Sequence, residues 1–250
     1  MIVYKSREEI DKMRRAGRIV ATTIDAVLEK VRTGVSTQAL DAVAEQVIRS
    51  EGAMPSFLGY RGYPASICAS INDQIVHGIP GERIIEEGDV LSLDFGAIWE
   101  GFHGDSAVSV IVGKSRSPEA QKLVRVTEEA LNAGIAQIKA GGHLSDISHA
   151  VQQVAEGAGF GVVREYVGHG IGRHLHEDPQ VPNFGSPRRG PVMREGLVIA
   201  VEPMINAGGW ETMLMPDKWT VVTADGSLSA HFEHTIAITE DGPEVLTARR

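Results

Sequence analysis

The feature that most constrains the fold of this chain is an internal repeat of a strand that leads to a carboxylate. The segment EGDVLSLD ends in Asp94, and the segment EGLVIAVE, 108 positions later, ends in Glu202. Each is a Glu-Gly turn followed by a short apolar run, a pattern typical of a buried β-strand. In each copy a second carboxylate, Asp105 or Glu233, leads into another apolar strand. The repeat therefore predicts two related β-hairpins.

The first hairpin favours a cation site. A turn centred on Trp99-Glu100 would place Asp94 and Asp105 directly opposite each other, where the apolar strand ends. Like charges in directly opposed positions destabilise a sheet, so a cation between them would stabilise the pair. The alternative is two solvated aspartates in an ordinary turn, and this stretch alone does not decide between the two.

A pair of amphipathic helices is predicted before the first hairpin. Ser6 and Glu9 form a capping box that opens a helix, and apolar residues recur at helical spacing as far as Val31. Ser36 caps a second helix, which ends at Gly52.

The second half repeats this helix pair at nearly the same offset. Ser117-Pro118 opens a helix whose apolar spacing extends through Ile138, and a further helix follows it. No linker-like segment separates the halves. We therefore expect residues 1–250 to form a single α+β domain with pseudo-two-fold halves of about 1–115 and 116–250.

Composition and charge exclude several classes of protein. The hydrophobic fraction of 42% and the charged fraction of 23% are typical of a soluble globular chain. A net charge of −9 without a polybasic run argues against a specific nucleic-acid ligand. The sequence shows neither a signal peptide nor an apolar run near the ~20 residues of a membrane helix. Its single cysteine, Cys68, excludes an internal disulfide and suits a reducing compartment, so we expect a cytoplasmic protein without a membrane partner.

Four carboxylates and one histidine are candidate metal ligands. If a pseudo-two-fold axis relates the halves, then Asp94, Asp105, Glu202 and Glu233 converge on one site. Four buried carboxylates need compensating charge, which two divalent cations would supply, as in dinuclear hydrolases. His169 lies between glycines in YVGHGIG, which leaves its imidazole accessible as a ligand. The alternative is a rim of solvated acids.

Two more histidines are candidates for the same site. His176 follows His169 by seven residues, which is far enough along an extended segment to reach the edge of the site. His77 precedes a Gly-Ile-Pro segment that predicts a turn. A lone histidine is more often structural or exposed, and we apply that interpretation to six others: His103, His143, His149, His174, His231 and His234.

Over almost its whole length the sequence resembles the type I methionine aminopeptidases, metallopeptidases of the pita-bread fold. Five segments carry the resemblance, in the family's order and spacing: NDQIVHGIP, LSLDFGAIWEGFHGDSA, GHGIGRHLHEDP, VIAVEPM and SAHFEHTIAIT. The resemblance implies removal of the initiator methionine from nascent proteins when the second residue is small. The short spacing from Glu202 to Glu233 leaves no room for the insertion that marks type II members.

The resemblance implies a dinuclear metal centre in which Asp94 binds one ion and Asp105 bridges both. Glu233 would be the second bridging ligand, and His169 with Glu202 would complete the other ion. A hydroxide activated by both ions would attack the peptide, with Glu202 as proton acceptor. Oxygen and nitrogen ligands without cysteine are compatible with Co, Mn, Fe or Zn.

The resemblance also implies substrate contacts. The free amino group of the substrate would bind the ion held by Asp94, His77 would contact the scissile amide nitrogen, and His176 would bond the carbonyl oxygen. The methionine pocket is similar to the family's at five positions: Phe57, Tyr60, Tyr63, Cys68 and Trp219. Arg61 and Leu175 differ from the residues that many bacterial relatives carry there, which leaves the preference for the second residue open.

Three alternatives and the expected partners complete the interpretation. A prolidase or aminopeptidase P of the same fold would use the same ligands, although such relatives usually carry a large additional N-terminal domain. A non-catalytic binding protein of this fold would be expected to lose ligands, and a dinuclear phosphoesterase would need an Arg/Lys-rich anion site that the chain lacks.

The expected partners are the N-terminal methionine of nascent polypeptides and, transiently, the ribosome. The resemblance implies a monomer.

Overall fold

The structure, a computed structural model, describes residues 1–249. Its α-helices in this range are α1 (Arg7–Leu28), α2 (Thr37–Ser50), α3 (Pro118–Ile135) and α4 (Leu144–Gly157), and a short 3₁₀ helix spans Tyr60–Gly62. The strands are β1 (Met54–Pro55), β2 (Ile67–Ile71), β3 (Gln74–Val76), β4 (Val90–Trp99), β5 (Phe102–Ile111), β6 (Gly161–Val162), β7 (Gly168–Gly170), β8 (Glu177–Val181), β9 (Val198–Val201), β10 (Met204–Asn206), β11 (Thr212–Leu214), β12 (Val221–Thr223), β13 (Ser229–His231), β14 (His234–Thr239) and β15 (Gly242–Val245). The predicted α+β class is confirmed. None of the described helices is long and apolar enough to cross a membrane.

The strands form antiparallel sheets. In the first sheet, β4 pairs with β5 along one edge and with β2 and β1 along the other. The largest sheet has the strand order β15-β14-β9-β7-β8. Two smaller sheets have the orders β13-β10-β6 and β11-β12-β3. The two predicted hairpins are thus β4-β5 and the non-contiguous pair β9-β14.

The helices begin where the sequence predicted and end earlier. Ser6 caps α1 through a capping box with Glu9. The predicted extension to Val31 is wrong, because α1 ends at Leu28 and the Val31 amide bonds only three residues back, to the Leu28 carbonyl. The same tightening ends α3 at Ile135, so the prediction that this helix includes Ile138 is also wrong. Hydrogen bonds to the third residue back are common in the last turn of an α-helix.

The predicted turn of the first hairpin is wrong by one residue. Strand β4 continues past Asp94, and the turn lies at Glu100-Gly101, where both residues have positive φ angles of 47° and 79°. A two-residue turn of this kind matches the twist of its strands, and glycine adopts such a φ without strain. Asp94 therefore pairs with Ala107, and Asp105 pairs with Gly96. The two carboxylates are diagonal neighbours on one face of the sheet, not directly opposed partners.

The hydrophobic core fixes which face carries the acids. Leu93 and Phe95 of β4 belong to the main core cluster, which also contains residues of all four α-helices. Because side chains alternate along a strand, Asp94 points to the opposite face. In β9, Ile199 and Val201 occupy the same core, so the next residue, Glu202, also points away from it.

The two hairpins meet where β5 of the first contacts residues 233–235 of the second. The backbones of Ala107 in β5 and Glu233 exchange two hydrogen bonds, of 3.3 and 3.0 Å. Two residues further along, the Thr235 hydroxyl accepts from the Asp105 amide at 3.0 Å and donates to the Asp105 carbonyl at 2.7 Å. This junction brings acids of both hairpins to one place.

Candidate active site

A cavity of about 170 Å³ brings together every site residue predicted from the sequence. Its walls also contain Arg61 and Leu175, the two positions that differ from many bacterial relatives. Open grooves of about 650 and 630 Å³ share lining residues with it, and His176 lines all three spaces. The predicted residues that line the cavity are Phe57, Tyr60, Tyr63, Cys68, His77, Asp94, Asp105, His169, His176, Glu202, Trp219 and Glu233.

The carboxylates at one end of the cavity lack compensating partners. Within the described chain, Asp94 Oδ1, Asp105 Oδ1 and Glu233 Oε1 are buried without a hydrogen-bond partner. Burial raises the pKa of Asp94 to about 7. Burial and the neighbouring acids raise the pKa values of Asp105, Glu202 and Glu233 well above the usual range. Four such groups cannot all ionise without nearby positive charge.

His169 presents a free ring nitrogen to these carboxylates. Its Nδ1 lies 2.9 Å from the Gly170 carbonyl, a contact that requires the hydrogen on Nδ1. Nε2 then carries the lone pair, 3.4 Å from Glu202 Oε1 and 4.0 Å from Asp105 Oδ2. Burial lowers the pKa of His169 to about 3, so the imidazole is neutral and available as a metal ligand.

Glycines explain how His169 reaches this position. Strand β7 lies between β9 and β8, and a Cβ atom at Gly168 would collide with the Ala200 carbonyl. A Cβ atom at Gly170 would likewise collide with the Asp178 carbonyl. Glycine at these two positions therefore lets β7 pack closely against its neighbours, and the neighbouring strands limit where the imidazole can point.

These groups fit a divalent cation. Ligand atoms of Asp105, His169 and Glu233 all lie within 4.8 Å of one another, and all three residues are buried. Asp94 and Glu202 line the same cavity. Unpaired carboxylate oxygens beside a neutral imidazole are a donor set that divalent transition metals accept. The polar end of the cavity can therefore bind a metal ion.

His77 is held in a conformation that is rare for residues other than glycine. Its φ angle is 60°, and its ring packs edge-on against Tyr166 and Trp219, with centroid distances of 5.9 and 6.3 Å. Burial lowers the pKa of His77 to about 4. Strained backbone of this kind clusters at functional sites and persists only where the surroundings enforce it.

His176 bridges the metal ligands and the pocket wall. Its Nδ1 lies 2.9 Å from the Tyr60 hydroxyl, and its ring lies 4.2 Å from the His169 ring between centroids. Partial desolvation by its neighbours and the Arg61 guanidinium lower the pKa of His176. The imidazole is therefore neutral near pH 7, with one ring nitrogen still free to face a substrate.

The other end of the cavity is apolar. Tyr63 packs edge-on against Trp219 at 5.0 Å between ring centroids, and Phe57 and Leu175 belong to the same hydrophobic cluster. Cys68 pairs with Asp94 across β2 and β4, which places a sulfur between the two ends. Burial raises the pKa of the Cys68 thiol, so it stays neutral. This wall can accommodate an uncharged side chain.

Sequence reasoning missed two residues beside the site. Thr235 holds the backbone of Asp105, as described above. His231 was interpreted as structural, yet its Nε2 lies 4.0 Å from Glu233 Oε2 without a hydrogen-bond partner among residues 1–249. The signal was the spacing of His231 and Glu233, because residues two apart on an extended chain face the same side.

Four of the remaining histidines have hydrogen-bond partners outside the cavity, in keeping with a structural role. His103 bonds Ser56, and His234 bonds Thr247, both at 2.9 Å. Weaker contacts of 3.3 and 3.2 Å join His143 to the Gly190 carbonyl and His149 to the Gly185 carbonyl. His174 is exposed and lines both open grooves.

The chain matches known proteins along nearly its full length. The model of metallopeptidase family M24 matches residues 11–240. Methionine aminopeptidase 1 of Bacillus subtilis (strain 168) is 51% identical over 247 residues, which cover 99% of each chain.

Solved structures show the same fold. The methionine aminopeptidase of Thermotoga maritima superposes with a TM-score of 0.97, at 44% identity and with 100% of both chains covered. The prolidase of Pyrococcus furiosus shares the fold alone: its TM-score is 0.79 at 22% identity, over 99% of this chain and 66% of the prolidase chain. The pita-bread fold expected from the resemblance is therefore confirmed. From these matches and the site, the chain belongs to metallopeptidase family M24.

Proposed function

We propose that this protein is a methionine aminopeptidase that removes the initiator methionine of nascent proteins when the second residue is small. The observation that carries the proposal is the two-ended cavity, with buried carboxylates and His169 at one end and an apolar wall at the other. Relatives with this activity in their names, similar over the full chain, support the same conclusion.

Five residues at the polar end would hold two divalent metal ions. Asp94 would bind one ion, Asp105 and Glu233 would bind both, and His169 with Glu202 would complete the second. Divalent cations in such a site lower the pKa of water and polarise a peptide carbonyl. The donor set suits cobalt, manganese, iron or zinc.

The apolar end would select methionine. Aromatic rings and a neutral thiol make favourable contacts with a thioether, and the wall offers both: Phe57, Tyr60, Tyr63, Cys68 and Trp219. The free amino group of the substrate would bind the ion held by Asp94, so only the N-terminal end of a peptide would be cut. This arrangement favours cleavage after the first residue over cleavage within a chain.

Two histidines and one glutamate would handle the reacting atoms. We assign the Tyr60 hydroxyl as donor to His176 Nδ1, which leaves the hydrogen on Nε2 to bond the scissile carbonyl oxygen as negative charge develops. One such donor is typically worth about 10²–10³ in rate. His77 would contact the amide nitrogen of the leaving group, and Glu202 would accept the proton of the attacking water.

The proposal extends to the whole chain and its surroundings. Residues 1–250 would act as one catalytic domain with halves of about 1–115 and 116–250, as a monomer in the cytoplasm. The substrate would be the N-terminal methionine of nascent polypeptides, met during transient contact with the ribosome. The net charge of −9 supports the absence of a specific nucleic-acid ligand.

Peptide cleavage by the metal-stripped protein tests the proposal. After titration with Co(II) or Mn(II), we expect release of methionine from Met-Gly-Met-Met but no cleavage of Leu-Gly-Met-Met or Ala-Pro-Met. Glu233→Ala should be inactive at every metal concentration. Cleavage of Ala-Pro-Met instead would assign the chain to the proline-specific peptidases, and no cleavage despite bound metal would favour a binding protein of this fold.

A further inference from the structure

His231 is a buried imidazole that the proposed reaction does not use. Only 2% of the residue is exposed, and its Nε2 has no hydrogen-bond partner among residues 1–249. A buried polar atom left without a partner costs about 1–3 kcal/mol. Such an atom in a native interior calls for an explanation, and for His231 the neighbouring site offers one.

The backbone of His231 is held firmly. It pairs with Met204 across β13 and β10. The Ser109 hydroxyl accepts from the His231 amide and lies within hydrogen-bonding distance of the His231 carbonyl, both at 2.8 Å. Ser109 also bonds Ser92 of β4 at 2.7 Å. With the backbone fixed by β10 and by Ser109 of β5, the side-chain torsions of His231 are what can adjust.

Glu233 is the group that His231 faces. The two residues are two apart on an extended chain, so both side chains point to the same side. Nε2 lies 4.0 Å from Glu233 Oε2, and the other carboxylate oxygen, Oε1, is buried without a hydrogen-bond partner within the described chain. A side-chain movement of about 1 Å would bring the pair to a normal N–H···O distance.

We infer that His231 is a positioning residue for the metal-binding carboxylate of Glu233. Its Nε2–H donates a hydrogen bond to Glu233 Oε2 and orients that carboxylate towards the bound cation. Residues that orient a metal ligand in this way typically contribute about 10- to 100-fold in metal affinity. The inference rests on the proposed function in one respect, that Glu233 is a metal ligand.

Mn(II) binding to the metal-stripped protein, measured by isothermal titration calorimetry, tests the inference. His231→Leu removes the donor and should weaken binding about 10- to 100-fold. His231→Gln retains an N–H donor and should recover most of the lost affinity. The matched control is Ser148→Ala, which removes another buried, unpaired polar atom from α4, outside the cavity, and should bind Mn(II) like the wild type.

The outcomes separate this inference from the proposed function. Wild-type affinity in His231→Leu overturns the role of His231, and equal loss in the Leu and Gln variants overturns the hydrogen bond in favour of direct ligation. A wild-type protein that binds no Mn(II) overturns the metal site itself. If circular dichroism shows that His231→Leu does not fold, ¹⁵N NMR of the wild type loaded with Zn(II) decides. We expect the hydrogen on Nε2 of His231, and a hydrogen on Nδ1 overturns the inference.

Discussion

At the scale of single residues, burial sets the protonation states of the site. His169 and His77 have pKa values lowered to about 3 and 4, so both rings are neutral at pH 7. Asp94 has a pKa raised to about 7 by the same desolvation. In the metal-free site, burial therefore favours neutral histidines and protonated carboxyl groups, because a low-dielectric interior penalises every isolated charge.

Tyr60→Phe should slow catalysis while leaving substrate binding nearly intact. The substitution keeps the ring that stacks on His176 but removes the hydroxyl that lies 2.9 Å from Nδ1. A single neutral hydrogen bond is worth about 1 kcal/mol, so we expect kcat to fall about fivefold to tenfold. Steady-state kinetics on Met-Gly-Met-Met at saturating Mn(II) measure the effect.

Two comparisons make the result specific. His176→Ala should lose about 10²–10³ in kcat, because the donor to the substrate is removed entirely. The affinity of Tyr60→Phe for Mn(II) should equal that of the wild type, since Tyr60 is not a proposed ligand. An unchanged kcat in Tyr60→Phe would show that another group orients His176.

At the scale of elements, the two-residue turn decides where the first pair of acids lies. With Glu100 and Gly101 as the turn, Asp94 and Asp105 become diagonal neighbours, and both stay on the face opposite Leu93. A turn one residue earlier would change every pairing along β4 and β5. The register of the hairpin, and through it the spacing of the carboxylates, therefore depends on a positive φ at Gly101.

Gly101→Ala should destabilise the protein by about 1 kcal/mol. The φ angle is 79°, and no described atom lies within 4 Å of an added Cβ, so the cost comes from the backbone conformation alone. Gly157→Ala at the end of α4 is the matched control, since its Cβ also meets no described atom and alanine favours a helix. In urea unfolding, Gly157→Ala should raise the free energy of unfolding or leave it unchanged. An equal loss of stability in both variants would contradict the argument.

At the scale of the whole molecule, the junction of β5 with residues 233–235 concentrates negative charge at one buried point. The hydrogen bonds between Ala107 and Glu233 and between Thr235 and Asp105 join halves that are more than 100 positions apart. Burial of the four acids there raises their pKa values. The junction that creates the site therefore costs stability unless protons or cations are bound.

The metal-free protein should lose stability as pH rises from 6.5 to 8. The folded state keeps protons on the buried carboxylates in this range, whereas the unfolded chain has lost them, so the slope of stability against pH is negative. Each retained proton contributes about 1.4 kcal/mol per pH unit. A proton that the folded state retains across the whole range therefore costs about 2 kcal/mol of stability, and urea unfolding in the presence of a chelator measures the total loss.

Histidines oppose this trend at lower pH. The pKa values of His169, His231 and His77 are lowered to between about 3 and 4, so their contribution is lost as pH falls below the unfolded value near 6.5. Mn(II) should abolish the decline above pH 6.5, because ionised carboxylates bind the cation. Glu233→Gln should reduce the metal-free slope, and metal-free stability that is constant or rises with pH would contradict this account.

Much of the fold could be predicted because its signals are local. The start of α1 follows from Ser6 and Glu9, and the start of α3 follows from Ser117 and Pro118. The ends of these helices could not be read in the same way. Both close in tightened turns, while apolar side chains beyond them, such as Ile138, still pack into the core and continue the helical pattern. The spacing of apolar residues reflects which side chains are buried, and side chains beyond the end of a helix can still be buried.

By itself, the sequence determined the kinds of element, the donor atoms of the site and the family motifs that carry them, since these depend on residues close together in the chain. Only the tertiary structure decided the register of Asp94 and Asp105, the contact between β5 and Glu233, and the position of His231 beside that carboxylate. Each of these depends on backbone torsions at a turn or on strands far apart in sequence. Small changes in either would move the carboxylates without changing any motif.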